Sequence, residues 1–202
     1  MESEQSGYNF FAMLSRMKYI NRWGLMRNTR GENIQEHSQQ VAVVAHALAL
    51  IRNRYFGGDV DADRTAVIAL FHDCDEILTG DLPTPVKYFN EGILSAYREV
   101  EGIAKDRLLS MLPAELRPDY AELLMLNRDD GRDAELWRIV KVADTICAYI
   151  KCLEEIAGGN TEFSTAAKST REKLKSSGLP EAEKFIEDYI GAFSLPLDDF
   201  GI

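Results

Sequence analysis

One stretch near the middle of the chain, residues 69–76, places a histidine and three acids inside an apolar pattern with helical spacing. The apolar positions in and around it share one helix face, and they are Ala66, Ala69, Leu70, Ile77 and Leu78. Burying a carboxylate costs several kcal/mol unless a cation or hydrogen-bond donors compensate it, so packing alone does not explain these acids. On one helix, His72 and Asp73 could reach the same ion, and Glu76 would lie one turn beyond His72 on its face. The stretch therefore predicts a helix that carries two metal ligands with an acid beside them.

The remaining apolar pattern is also helical, and neither β-alternation nor an internal repeat is present, which predicts an all-α fold. Helices are predicted over residues 10–17, 36–55, 61–78, 86–89, 93–110, 118–126, 134–156, 163–176 and 181–192. Gly80, Pro83 and Pro85 cannot continue a helix, so a compact turn is expected over residues 79–85.

Composition excludes several classes of protein. The net charge of −10 argues against nonspecific binding to nucleic acid, which depends on Lys and Arg at the phosphates. No apolar run approaches the ~20 residues of a membrane span, and the acidic amino terminus lacks a signal-peptide pattern. The cysteines lack C-x-x-C spacing and are expected to be reduced thiols, and they are Cys74, Cys147 and Cys152. These features predict a cytoplasmic protein that binds neither nucleic acid nor membranes.

Positive charge is concentrated near the amino terminus, where residues 5–31 include five basic residues and no acid. The basic residues are Arg16, Lys18, Arg22, Arg27 and Arg30. In an otherwise acidic chain, this segment indicates either a local anion site or the basic face of a solvated helix.

Two further side chains are candidates to complete a metal site. His37 aligns with the apolar face of the second predicted helix, where a histidine is either a hydrogen-bonded core residue or a ligand. Asp144 also lies on an apolar face, where it is either part of an ion pair, with Lys141 or a distant arginine, or a ligand. His46 points away from the His37 face and is assigned no role.

The order H…HD…D, formed by His37, His72-Asp73 and Asp144, resembles the metal-dependent phosphohydrolases of the HD-domain superfamily. Longer motifs narrow the resemblance, and they are Ile20-Asn-Arg22-Trp23, Glu36-His37-Ser38, His72-Asp73-x-x-Glu76, Thr79-Gly80-Asp81-Leu82-Pro83-Thr84-Pro85 and Lys141-x-Ala-Asp144. Together they look like the YfbR-type 5'-deoxynucleotidases, over about residues 10–163.

The resemblance implies a single HD domain over residues 1–202, with a metal site built from residues 37–144 and the C-terminal helices, 163–192, packed on it. One departure lies inside the core motif, where Cys74 and Asp75 replace the Ala-Ser pair of the family. Neither position is a ligand position, so the chemistry is expected to survive. A thiol beside the metal-binding residues predicts sensitivity to oxidation.

One divalent transition-metal ion is implied, bound by His37, His72, Asp73 and Asp144. This ligand set suits cobalt, manganese, zinc or iron better than calcium, and cobalt is the ion expected in vitro. Because only two histidines are placed as ligands, the binuclear, histidine-rich phosphodiesterases of the superfamily are not expected. The family also implies a homodimer.

The reaction implied is hydrolysis of deoxyribonucleoside 5'-monophosphates to a deoxynucleoside and phosphate. Glu76 is expected to be the catalytic acid/base, and Arg22 is expected to bind the phosphate as the second catalytic residue. Substrate binding is expected from Arg22, Trp23, His37, Asp73, Asp81, Leu82, Pro83 and Thr84. Asp81 is expected to accept a hydrogen bond from the sugar 3'-hydroxyl and to leave no room for a 2'-hydroxyl.

Several alternatives remain open. Trp23 could instead be a core residue, Asp81 a turn-forming residue, and Glu76 a hydrogen-bond partner of a ligand histidine. The alternative functions are a deoxynucleoside triphosphohydrolase and a general 5'-nucleotidase. A triphosphohydrolase must neutralise two more phosphates, yet the chain has no further Lys/Arg cluster. A non-enzymatic module would be expected to have lost some of the four ligands.

Overall fold

The computed structural model describes residues 7–129, 131 and 133–201. Its α-helices are α1 (Phe10–Leu14), α2 (Ile34–Tyr55), α3 (Ala62–Phe71), α4 (Glu76–Thr79), α5 (Thr84–Lys87), α6 (Glu91–Ser110), α7 (Arg117–Leu124), α8 (Ala134–Ala157), α9 (Ser164–Ser176) and α10 (Pro180–Tyr189). Short 3-10 helices span Ser15–Tyr19, Thr161–Phe163, Ile190–Ser194 and Leu197–Phe200. Across the described ranges, no strand forms, and extended pairing is limited to one bridge between Asn21 and Asn33. The predicted all-α fold is confirmed.

Contacts within the chain divide it into two compact units. Unit 1 comprises the described parts of Met1–Leu25, Glu32–Glu36 and Phe71–Leu126, and unit 2 those of Met26–Gly31, His37–Leu70 and Asn127–Ile202. Each unit is therefore assembled from segments that are distant in sequence. Among the described helices, none has both the length and the hydrophobicity that crossing a membrane requires. The single domain predicted for residues 1–202 stays a prediction.

Unit 1 has its own apolar core, made of Phe10, Met17, Ile34, Cys74, Leu108, Leu109, Leu112 and Leu124. Tyr120 of α7 joins it, with its ring 4.8 Å from that of Phe10 and 5.8 Å from that of Phe71, both edge to face. The helix predicted over residues 10–17 is divided between α1 and the 3-10 segment that follows. This core fixes the segments that flank the candidate site residues of unit 1.

Unit 2 is built on α8, which packs against α9 and buries one apolar face. The buried residues of that face include Ile139, Val140, Ala143, Ile146, Cys147 and Ile150. At its end, the buried carboxylate of Glu155 accepts hydrogen bonds from Thr29 N (2.9 Å), Thr29 Oγ1 (2.7 Å), Arg30 N (3.3 Å) and Asn160 Nδ2 (2.8 Å). Lys151 pairs with Glu155 and donates to the carbonyl of Arg30 at 2.6 Å. Segment 26–31 is therefore anchored to α8 by a fully bonded buried ion pair.

The helix predicted over residues 61–78 is wrong. The structure ends α3 at Phe71 and begins α4 only at Glu76. Between them the backbone bonds tighten to three-residue spacing, because Cys74 N donates to Phe71 O at 3.2 Å and Glu76 N to Asp73 O at 3.1 Å. The central stretch is thus a turn between two helices.

Tertiary contacts explain this break. The turn brings Cys74 into the core of unit 1 and the carboxylate of Asp75 to 3.8 Å from Nζ of Lys105 on α6. In a continuous helix, the regular rotation from one residue to the next, rather than contact with these partners, would set the directions of these side chains. As a result, His72 and Asp73 project from a turn, and the prediction that they share one helix with Glu76 is wrong.

All three cysteines, Cys74, Cys147 and Cys152, are buried. Burial, and next the negative charge of Asp75, raise the pKa of the Cys74 thiol. Since the thiolate is the reactive form, the structure does not support the sensitivity to oxidation that the sequence suggested.

Candidate active site

In unit 2, α2 and α8 bring His37 and Asp144 together. The side chain of His37 is fully buried, and its Nε2 lies 3.1 Å from Oδ1 of Asp144. The other carboxylate oxygen, Oδ2, accepts a hydrogen bond from Nζ of Lys141 at 2.6 Å. The ion pair that the sequence analysis considered for Asp144 is therefore formed with Lys141. The other carboxylate oxygen of Asp144 faces a buried imidazole. Placing a histidine in the first turn of α2 and an aspartate in the middle of α8 is what makes this pairing possible.

In unit 1, the turn after α3 carries His72 and Asp73. The side chain of His72 is fully buried, and its Nε2 lies 3.0 Å from Oδ2 of Asp73. The same oxygen of Asp73 lies 3.4 Å from Nη1 of Arg22. A positively charged guanidinium thus stands directly beside a candidate ligand carboxylate.

Both histidine–aspartate pairs fit the spacing of neighbouring metal ligands. Two ligands bound about 2.0–2.2 Å from one metal ion lie about 3 Å apart in octahedral geometry and about 3.5 Å apart in tetrahedral geometry. The distances of 3.1 Å for His37–Asp144 and 3.0 Å for His72–Asp73 lie at the lower end of this range. Imidazole nitrogen and carboxylate oxygen are also the donors that borderline transition metals accept. The donors in each unit therefore suit such an ion.

Arg22 and Trp23 meet at the side chain of Glu32, a residue that the sequence analysis missed. Oε2 of Glu32 accepts a hydrogen bond from Nε of Arg22 at 3.1 Å and another from Nε1 of Trp23 at 2.7 Å. Trp23 is half-buried rather than a core residue. A sequence signal existed, since Glu32 is the first acid after the acid-free basic segment, residues 5–31.

Glu76 begins α4 and is held in an environment that favours its protonated form. Burial, and next the negative charges of Asp73 and Asp81, raise the pKa of Glu76 to about 10, while Arg22 acts in the opposite direction. Its Oε2 atom is buried without a hydrogen-bond partner among the described residues. Groups with such strongly shifted pKa values are common in active sites.

The turn that carries Asp81 is tied to α6. Tyr97 of α6 donates from its hydroxyl to the carbonyl of Gly80 at 3.1 Å, and Oγ1 of Thr79 lies 3.2 Å from that hydroxyl. Gly80 has φ of 74°, in the left-handed region that favours glycine. Nζ of Lys87 donates to Glu101 at 2.7 Å and lies 4.7 Å from the centre of the Tyr97 ring.

The other residues predicted on this turn differ in exposure. Leu82 and Pro83 are half-buried beside Asp81, whereas Thr84 is exposed at the start of α5. The turn thus presents a carboxylate between a short helix and a stiff proline segment. Its contact with Tyr97 was not predictable from the sequence pattern, because Tyr97 lies on another helix.

Comparison with solved structures identifies the class of fold. An HD-domain phosphohydrolase from Listeria innocua superimposes with a TM-score of 0.77, at 22% identity, over 92% of this chain and 88% of that chain. The cyanophage S-2L HD phosphohydrolase DatZ, whose structure holds dA and one catalytic Zn2+ ion, gives a TM-score of 0.62 at 20% identity, over 90% of this chain and 96% of that chain. The fold is that of the HD-domain phosphohydrolases.

Sequence comparison identifies the family within that class. The family described as 5'-deoxynucleotidase YfbR-like matches residues 9–193. A 5'-deoxynucleotidase of Photorhabdus laumondii is 50% identical over 194 residues, covering 96% of this chain and 97% of that protein. The 5'-deoxynucleotidase YfbR of Escherichia coli K12 is 51% identical over 191 residues, covering 95% of this chain and 94% of that protein. The chain belongs to the YfbR-like 5'-deoxynucleotidase family, and the resemblance stated from its motifs is confirmed.

Proposed function

We propose that this chain is a 5'-deoxynucleotidase, which hydrolyses deoxyribonucleoside 5'-monophosphates to a deoxynucleoside and phosphate. The names of relatives that are half identical over nearly the whole chain support this activity. One structural observation carries the proposal: Nη1 of Arg22 lies 3.4 Å from Oδ2 of Asp73, so a phosphate-binding group adjoins a candidate metal ligand. A phosphomonoester needs both kinds of partner for its negative oxygens.

One divalent transition-metal ion is proposed, held by His37, His72, Asp73 and Asp144. Each unit contributes one histidine and one aspartate with the spacing of neighbouring ligands, His37 and Asp144 in unit 2 and His72 and Asp73 in unit 1. When bound, the ion would supply Lewis-acid chemistry, neutralising charge on the phosphate and acidifying water. Cobalt is the ion expected in vitro, and zinc gains support from the catalytic Zn2+ of DatZ.

The remaining chemistry is assigned to two side chains of unit 1. Arg22 would bind the phosphate through its planar guanidinium, whose donors match phosphate oxygens in pairs. Glu76 lies buried among acids that favour its protonated form, so it would donate that proton to the leaving 5'-oxygen. Its place at the start of α4, three residues after Asp73, supports this role.

Selection of the sugar is assigned to the turn of Asp81. The Asp81 carboxylate would accept a hydrogen bond from the 3'-hydroxyl. Leu82, Pro83 and Thr84 would form the rest of the surface that faces the sugar. Because Tyr97 and Thr79 bind the turn at Gly80, it could not easily withdraw from an added 2'-hydroxyl. Trp23 would supply an aromatic surface for the sugar or the base. His37 and Asp73 would contact the phosphate beside the metal ion.

Two further expectations belong to the same proposal. A homodimer follows from the family resemblance, and a measured mass in solution tests it. A cytoplasmic location is consistent with three buried cysteines that act as thiols rather than as disulfides.

The decisive experiment measures phosphate release from a panel of nucleotides, using protein loaded with cobalt, manganese or zinc. Deoxyadenosine 5'-monophosphate should be hydrolysed well, the matched ribonucleotide AMP poorly, and deoxyadenosine 3'-monophosphate not at all. Equal rates on dAMP and AMP would show instead that the protein is a general 5'-nucleotidase. Preferred release of triphosphate from dATP would instead establish the triphosphohydrolase.

A further inference from the structure

We propose that Glu32 is a positioning residue, whose carboxylate holds the Arg22 guanidinium and the Trp23 indole as one unit for nucleotide binding. This inference rests on the proposed function, in which Arg22 binds the phosphate and Trp23 faces the nucleoside. Glu32 itself touches neither the substrate nor the reacting atoms.

The contacts of Glu32 are direct and protected from solvent. A single oxygen, Oε2, accepts from Nε of Arg22 at 3.1 Å and from Nε1 of Trp23 at 2.7 Å. The side chains of Glu32 and Arg22 are only 12% and 13% exposed, so water competes weakly for these bonds. Charge-assisted bonds of this kind are the stronger ones in proteins.

The main chain reinforces the same arrangement. Arg22 N donates to the carbonyl of Glu32 at 2.9 Å, next to the bridge between Asn21 and Asn33. Arg22 is therefore bonded to Glu32 through both its backbone and its side chain. This double attachment sets the direction in which the guanidinium leaves the backbone.

The backbone of Trp23 requires such support. Its φ of 60° lies in the left-handed region, which L-residues with large side chains rarely adopt. Such strain persists only where surrounding contacts fix it, and it is concentrated at ligand-binding sites. The bond from the indole to Glu32 is one contact that fixes it here.

The geometry also defines which edge of the guanidinium meets a phosphate. Glu32 engages Nε, whereas Nη1 is directed toward Asp73 at 3.4 Å. A phosphate bound beside Asp73 therefore meets the Nη groups. Because one oxygen of Glu32 serves both partners, losing it would disturb phosphate and nucleoside recognition together.

The test compares Glu32→Ala and Glu32→Gln with Glu162→Gln as the matched control. Glu162 also pairs with an arginine, since it accepts from Nε of Arg27, but that pair lies outside the assigned machinery. In Glu32→Ala, we expect KM for dAMP to rise about tenfold or more, with a smaller change in kcat. Inhibition by inorganic phosphate and by deoxyadenosine should both weaken, while metal content stays at the wild-type level. Glu32→Gln retains one acceptor oxygen and should recover part of the loss.

An unchanged KM in both Glu32 variants would overturn the inference, as would an equal rise in Glu162→Gln. If Glu32→Ala fails to fold, Glu32→Gln alone provides the comparison. The fluorescence of Trp23, isolated by Trp137→Phe, gives a readout that does not need turnover, and it should change when Glu32 is replaced. An inactive wild-type protein with this spectral change would contradict the proposed function and not the role of Glu32.

Discussion

Nε2 of His37 lies 3.1 Å from Oδ1 of Asp144, although 107 residues separate them in the sequence. On its other side, Asp144 accepts a hydrogen bond from Lys141 at 2.6 Å. The aspartate thus bonds a cation through one oxygen and presents the other to a buried imidazole.

The first prediction concerns that metal site. Asp144→Ala and His72→Ala should each abolish bound metal and turnover, because each removes one of the four proposed donors. Metal content after dialysis, measured beside the far-UV circular dichroism, checks this. His46→Ala is the control, since His46 is partly exposed beside Asp63 and should retain both properties. Full metal occupancy in Asp144→Ala would disprove the four-ligand arrangement.

The second prediction concerns proton transfer. Glu76→Gln should retain the metal ion and near-normal KM but lose at least about 100-fold in kcat, the usual contribution of a general acid or base. Steady-state kinetics with dAMP, together with metal analysis of the same sample, measure both properties. Near-normal turnover would reduce Glu76 to a structural residue.

The third prediction concerns stability and pH in protein stripped of metal by a chelator. The pKa of Glu76 rises from the ordinary value of 4.5 to about 10, chiefly through burial. Between these values the folded chain binds more protons than the unfolded chain, so the contribution of Glu76 to stability falls as pH rises. Glu76→Gln removes this loss of stability at higher pH, because glutamine does not ionise. Its Tm should therefore increase relative to wild type between pH 5 and pH 9, and a constant difference would contradict the raised pKa.

The fourth prediction concerns the sugar. Losing a hydrogen bond to a charged group costs roughly 1.5–3 kcal/mol, so Asp81 could supply about tenfold to hundredfold discrimination. Asp81→Ala should narrow the ratio of kcat/KM for dAMP over AMP, through lower activity on dAMP, higher activity on AMP, or both. Tyr97→Phe, which removes the hydroxyl bound to Gly80, should narrow it less. Asp59→Ala, in the exposed turn after α2, should leave the ratio unchanged.

Sequence periodicity was sufficient for the long helices but not for the break at the centre. The helix predicted over residues 134–156 is α8, Ala134–Ala157, because its apolar face is continuous and its ends carry clear signals. The break after Phe71 leaves the apolar spacing unchanged, and the pairing of Asp75 with Lys105 that accompanies it is a contact with a distant helix. Local pattern therefore cannot reveal it.

The candidate site likewise contains residues that the sequence predicted and one residue that it did not. His37, Arg22 and Asp81 were predicted from residue type and motif, and their roles stay predictions. Glu32 was missed, since its position as the first acid after the basic segment does not show that the chain returns to place it against Trp23. Its proposed role depends on backbone pairing between two segments ten residues apart.

The burial of all three cysteines has a practical consequence for spectroscopy. Maleimide dyes react with accessible thiolates, so the native protein should remain almost unlabelled while it is folded. A new cysteine at an exposed helical position such as Ser169 would then carry the only dye on each chain. Ser169→Cys thus allows distances and motions to be followed by fluorescence without replacing any native residue of the core.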